Sequence, residues 1–356
     1  MHLTTLWFVL LTILWVGFFV LEGFDLGVGM LHAIVGKTEL EKRIAINTIG
    51  PWWDGNEVWL IVAGAGTFAA FPDWYGTMFE SLYLALLLIL AALIARGVAF
   101  EFRNKLPDET WRKVWTLALA IGSLLIPLLL GTGLGDLLAG LPVNAAQHFT
   151  GNFLDVLKPY GLLTGITLTV LCLFHGAIFL RLRTTGPITE RAKALAGPLG
   201  IASIVLVIAF VIGTRLVVGV TAVPEPVQIL AILAALFAAR LAMTDSVGWA
   251  FTCTAVTIAS VVGSLFIDLY PRVLISSTSH AYNLTVTNAA SGGYTLTVMS
   301  IVTALLLPVV LAYQAWSFWV MRQRIIAPVE GAEASASTPS ASPTPPPAAP
   351  PAPAAG

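Results

Sequence analysis

The chain has 356 residues, 57% of them hydrophobic and only 10% charged, against roughly 25% charged in a soluble domain. With a mean hydropathy of +0.87 and a formal net charge of −1, the composition excludes a water-soluble globule and lacks the basic footprint of a nucleic-acid binder. The two cysteines, Cys172 and Cys253, stand in separate apolar runs without CxxC or Cys/His spacing, so they read as small buried hydrophobes rather than metal ligands.

The opening MHLTTLW has no basic region and no small-residue cleavage pattern, and the apolar run behind it contains Glu22 and Asp25, so the first helix is expected to be retained rather than cleaved as a signal. A bilayer core of about 30 Å needs about 20 mostly apolar residues per helix. About nine runs meet that rule: 6–31, 51–70, 78–100, 114–140, 159–182, 198–217, 227–242, 247–269 and 294–321, the seventh being the shortest. The expected fold is an all-α polytopic membrane bundle. Stretch 38–48 alternates charged and apolar residues, as in a short interfacial helix. Loop 276–293 is rich in Ser, Thr and Asn and is expected to form a small external cap. Two regions are expected: a helical domain over 1–326, and a Pro/Ala/Ser-rich tail over 327–356 that cannot bury enough apolar surface to fold.

Lys and Arg alternate cleanly between the loops. Fourteen fall on one side, from Lys37, Lys42 and Arg43 through to Arg322 and Arg324, whereas the other side has only Lys158, Arg215 and Arg272, and Arg96 lies within the third run. Since cytoplasmic loops carry the excess, the N-terminus is expected outside and the C-terminus inside a cell membrane.

Ionisable side chains inside a spanning helix cost about 2.5–3.5 kcal/mol each on insertion scales, so each asks for a reason. Glu22 and Asp25 are three residues apart and share a helix face, as do Asp54 and Glu57 in the second run. At about 1.5 Å rise per residue, Asp25 lies about 10 Å from the cytoplasmic end of its helix. The four acids therefore belong to the cytoplasmic half, where two faces of one hairpin can meet. Two readings stand side by side: carboxyls that share protons and form a relay, or an ion-pair network with Arg96 and Arg103 that only holds helices together.

Gly23 and Gly27 form a GxxxG, which is read as a close-packing device, as are Gly131 and Gly135. A haem would need facing His, Met or Cys side chains. Only His175 lies well inside a helix, and a lone histidine there is more often a hydrogen-bonded packing residue. Most aromatic residues fit two interfacial belts, but Trp53 and Trp59 stand beside the acids and can alternatively wall a cavity for a quinone or lipid tail.

Three motifs occur in order: GFDLGVGML with Asp25, GPWWDGNEVWL with Asp54 and Glu57, and RGVAFEFR with Arg96 and Glu101. Together they resemble subunit II of the cytochrome bd quinol oxidases. The resemblance implies a terminal oxidase that oxidises quinol, reduces dioxygen to water and draws its chemical protons from the cytoplasm. It also implies that haems b558, b595 and d belong to a larger partner, subunit I, that this chain holds none itself, and that it can hold a structural quinone. Small accessory subunits, quinol and lipid are the further partners implied. In the family, the positions matching Asp25 and Asp54 are associated with proton delivery, while Glu22, Glu57, Arg96 and Glu101 match the motifs without so definite a role. The long Pro/Ala tail departs from the family pattern. Two alternatives use the same acids differently: a proton-coupled secondary transporter, for which an internal repeat would be expected, and a scaffold subunit whose acids are purely structural.

Overall fold

The computed structural model describes residues 2–219 and 223–325, so the tail expected over 327–356 lies outside the described residues. Among them the chain forms eleven α-helices in the order α1 Leu3–Val35, α2 Glu39–Asn47, α3 Trp53–Ala70, α4 Pro72–Ser81, α5 Tyr83–Phe102, α6 Glu109–Ala139, α7 Pro159–Arg183, α8 Pro187–Val218, α9 Pro226–Ala242, α10 Val247–Leu269 and α11 Gly293–Val320. Seven are long and apolar enough to cross a membrane: α1, α5, α6, α7, α8, α10 and α11. α9 has 17 residues, and α3 dilutes its apolar run with Asp54, Asn56 and Glu57 in its first turns. The protein is a multi-pass membrane protein.

The run expected over 78–100 is divided in the structure. Its first residues belong to α4, which Pro72 opens, and the backbone turns at Leu82 before α5 begins. A hydropathy window cannot see this break because apolar residues continue through it. α4 keeps Asp73 and Glu80 toward the surface, as suits a short helix lying at one end of the bundle. Where a short interfacial helix was expected over 38–48, the short helix α2 forms. Its start is set by a capping box, in which the Thr38 hydroxyl accepts from the Glu41 amide at 3.2 Å while the Glu41 carboxylate accepts from the Thr38 amide.

The loops gather at two ends. At the end rich in Lys and Arg, here the basic end, Arg103 meets Glu39 at 2.6 Å, and Arg191 donates to Val35 O and to Glu41. Arg181 donates to the carbonyl oxygens of Ala242 and Thr244, satisfying the last turn of α9. At the far end a small cap interrupts the all-α pattern. Strand β1, Arg272–Leu274, pairs antiparallel with β2, Leu284–Thr285, and Ser276 Oγ donates to Val143 O at 2.8 Å. The Ser- and Thr-rich loop thus ties its backbone groups to one another and to the neighbouring loop rather than to lipid.

α1 and α7 form the centre of the bundle, α1 packing on α3, α6, α7 and α10. Their crossing is close because Gly27 meets Gly176. A Cβ on Gly27 would collide with the Cys172 carbonyl oxygen, and one on Gly176 with the Gly27 backbone. Gly23, by contrast, leaves ordinary van der Waals room, so the contact pairs one glycine from each helix rather than both members of the GxxxG. α11 stands at the edge, with Leu296 its only buried residue.

Candidate functional site

The hairpin of α1 and α3, backed by α5, brings the acids together near the basic end. Glu22, Asp25 and Arg96 are each fully buried. Arg96 Nη1 lies 2.6 Å from Glu22 Oε1 and 3.9 Å from Glu57 Oε2. The short contact to Glu22 lacks hydrogen-bond alignment, and Nε and Nη2 of Arg96 have no partner either. The link is therefore one of charge, in a medium where charge is poorly screened. One guanidinium faces three carboxyls, and full ionisation of all three would leave negative charge uncompensated, so the arrangement can hold and exchange protons.

Asp25 is held by a residue that sequence reasoning passed over. Asn56 Nδ2 donates to Asp25 Oδ2 at 2.6 Å and to Leu21 O at 3.1 Å, and Asn56 Oδ1 accepts from Gln314 Nε2 of α11 at 2.9 Å. Both amides stand in apolar helices, which was the available signal, but attention to ionisable groups alone missed it. Two carboxyls nearer the far end were also passed over, although both are ionisable residues within apolar helices. Asp268 is buried against Arg215 at 3.2 Å and accepts from Gln228 at 2.9 Å, while Asp136 is buried with neither oxygen hydrogen-bonded.

The remaining expected residues are spread more widely. Asp54, at the start of α3, is exposed, and its carboxylate accepts from the Gly55 amide. Arg103 is buried but serves Glu39 of α2, not the acid cluster, and Glu101 is exposed and forms no ion pair among the described residues. Trp53 stacks on Phe100 with ring centres 4.6 Å apart, and Trp59 lies against Gly17 of α1. An apolar cavity of about 640 Å³ opens at another height, lined by Trp15, Phe68, Tyr83, Leu86 and Leu129 among others, and neither Trp53 nor Trp59 borders it. His175 is buried with Nδ1 2.5 Å from Thr254 Oγ1 and Nε2 3.3 Å from Val20 O, and its ring stacks on Phe251. With both nitrogens engaged it does not fit axial ligation of a haem.

At the basic surface, the Arg191 guanidinium, with the Lys37 and Thr38 amides, holds the Glu41 carboxyl below its ordinary value of 4.5. A carboxyl depressed in the folded protein stabilises it above the unfolded value and loses that contribution as pH falls through the folded one. The thermal midpoint is therefore expected to drop on acidification below about pH 4.5, and a Glu41→Gln variant should show a smaller drop. Parallel curves from the two proteins would show that the pair contributes nothing.

The family model for cytochrome bd terminal oxidase subunit II matches residues 3–321. The chain belongs to that family. Among its relatives, cytochrome bd ubiquinol oxidase subunit 2 of Bacillus subtilis is 43% identical over 324 residues, covering 90% of this chain and 96% of the relative. Cytochrome bd-I ubiquinol oxidase subunit 2 of Escherichia coli K12 is 34% identical over 360 residues, covering 90% and 94%. A chain of the bd oxidase structure from Geobacillus thermodenitrificans superposes with a TM-score of 0.70 at 17% identity, over 90% of this chain and 99% of that one, a likeness of fold. Membership makes this bd-family chain a subunit of a terminal oxidase, and the buried acids of α1 and α3 are the part of it with chemistry to offer.

Proposed function

We propose that the chain is the haem-free subunit II of a quinol-oxidising, dioxygen-reducing complex in the cell membrane, and that it delivers cytoplasmic protons toward haems held by subunit I. In this reading α1, α3 and α5–α11 are the nine crossings, and the N-terminus faces outward. The described bundle is the working part of a 1–326 domain, and 327–356 is an appended cytoplasmic segment. Positive charge supports the orientation, since the basic end carries nearly all loop Lys and Arg. α3 and α9 fit as crossings because each runs between loops at opposite ends. Small accessory subunits, quinol and lipid complete the partners.

The observation that carries the proton-delivery reading is the fully buried Glu22–Asp25 face with Arg96 as its nearest cation. Asp54 and Glu57 stand between it and the basic surface. Asp54 is exposed at the helix start, Glu57 is partly exposed, and Glu22 and Asp25 are fully buried. Protons can enter at the exposed acids and be held at the buried pair. The haems supply electron transfer and oxygen chemistry when bound in the partner; this chain's residues hold and move protons.

The complex is tested by purifying the chain in mild detergent from cells that make an active bd oxidase, then recording a reduced-minus-oxidised visible spectrum and the masses of the accompanying chains. Haem b and d bands with a second, larger membrane subunit are expected. A chain that purifies alone and colourless would overturn the reading.

A further inference from the structure

α11 is apolar almost throughout and edge-exposed, yet it carries Gln314 part-way along its length. An amide in such a helix leaves its donors unpaired in lipid unless a neighbour takes them. Gln314 Nε2 donates to Asn56 Oδ1 at 2.9 Å, and Asn56 is fully buried. The orientation of Asn56 is forced. Its other contact toward α1 is the Leu21 carbonyl oxygen, which can only accept, so the amino group must face α1 and the amide oxygen must face α11. That same amino group meets Asp25 Oδ2 at 2.6 Å. One oxygen of Asp25 thus accepts from an amide donor, while Oδ1 is buried with no hydrogen-bond partner.

We infer that Asn56 and Gln314 are positioning residues for the proton relay. Asn56 engages Oδ2 of Asp25 so that Oδ1 is the atom that gains and loses the proton, and Gln314 locks Asn56 in that orientation while tying α11 to the acid cluster. The inference rests on the proton-delivery reading above. The ionisable groups around Asp25 are Glu22 on its own helix, Glu57 on α3 and Arg96 on α5, with Cys172 and His175 of α7 lining Gly23 nearby. None of these supplies an obligatory neutral donor, which is what Asn56 adds. A donor on one oxygen favours the ionised carboxylate, and its loss favours the protonated form. The Gln314–Asn56 link also makes the relay sensitive to the placement of α11, which has few other anchors: Trp7 Nε1 donating to Leu296 O and Ser300 Oγ, and Phe318 stacked on Trp52.

The test is oxidase turnover against pH for the purified complex carrying Asn56→Leu, Gln314→Leu or Asp25→Asn, each with haem content checked by spectrum. In Asn56→Leu the limb of the profile that follows loss of the relay proton is expected to move about one pH unit toward alkali. Gln314→Leu should move it in the same direction by less, with haem content unchanged. Gln314 is only partly buried, so its variant decides the matter if Asn56→Leu fails to assemble. Asp25→Asn separates the two ideas. If it loses turnover while Gln314→Leu keeps the parental profile, the positioning role is overturned and the relay stands. If it keeps full turnover, the relay itself has failed.

Discussion

Replacing Asp25 by asparagine is expected to lower oxidase turnover by about a hundredfold, the scale of a positioned proton-transfer group, while leaving the haem spectrum and the yield of complex unchanged. The substitution is nearly isosteric. The new amide can present its oxygen to Asn56 Nδ2, which now donates to Asp25 Oδ2 at 2.6 Å, so packing around the site survives while the exchangeable proton is gone. A purely structural role predicts a different result, in which yield, haem content and turnover fall together. Turnover at the parental level with the haems intact would exclude Asp25 from proton delivery. Asp54 makes a useful comparison. It is exposed and bonded only to its neighbour's amide in the chain as described, so Asp54→Asn should cost less in stability than any change at the buried pair.

The second large effect concerns Arg96. Arg96→Met keeps most of the volume but strips Glu22 of a cation 2.6 Å away, in a site from which water is excluded. Breaking one half of a buried ion pair costs about 3–5 kcal/mol, because the remaining charge stays buried and unpaired. The aliphatic stem also packs beneath α6, where Arg96 Cβ approaches Gly122, and the guanidinium lies 5.4 Å from the centre of the Phe100 ring. Thermal unfolding of the purified complex should show a large fall in midpoint, or the complex should fail to accumulate. Adding Glu22→Gln should recover part of the loss by removing the orphaned charge. An unchanged midpoint in the single variant would mean that Glu22 is already neutral without help from Arg96.

Much of the architecture was legible beforehand because hydropathy over twenty residues is a local property. The run expected over 159–182 became Pro159–Arg183, and 247–269 became Val247–Leu269. The family motifs lay in the first 103 residues, and the match extends over 3–321. The divided run at Leu82 was not legible, since a backbone turn can interrupt a helix without interrupting its hydrophobicity. Within the site, the meeting of Glu22 with Arg96 was readable as one of two cations on offer, Arg96 and Arg103. Which of them would enter the cluster was not, and Arg103 went instead to Glu39 on the short helix α2.

The sequence by itself determined that this protein lives in a membrane, where its long helices run, which loops share a charge and which family it belongs to. Each of these is carried by the chemistry of consecutive residues. Only the tertiary structure decided that Asp25 is gripped by Asn56, that Asn56 is answered by Gln314 from 258 residues away, and that Asp54 stays at the surface while Glu22 is sealed inside. Those choices depend on the rotation and approach of whole helices, set by contacts such as Gly27 against Gly176, and in an apolar solvent a buried polar group can gain a partner only through that packing because no water is there to supply one.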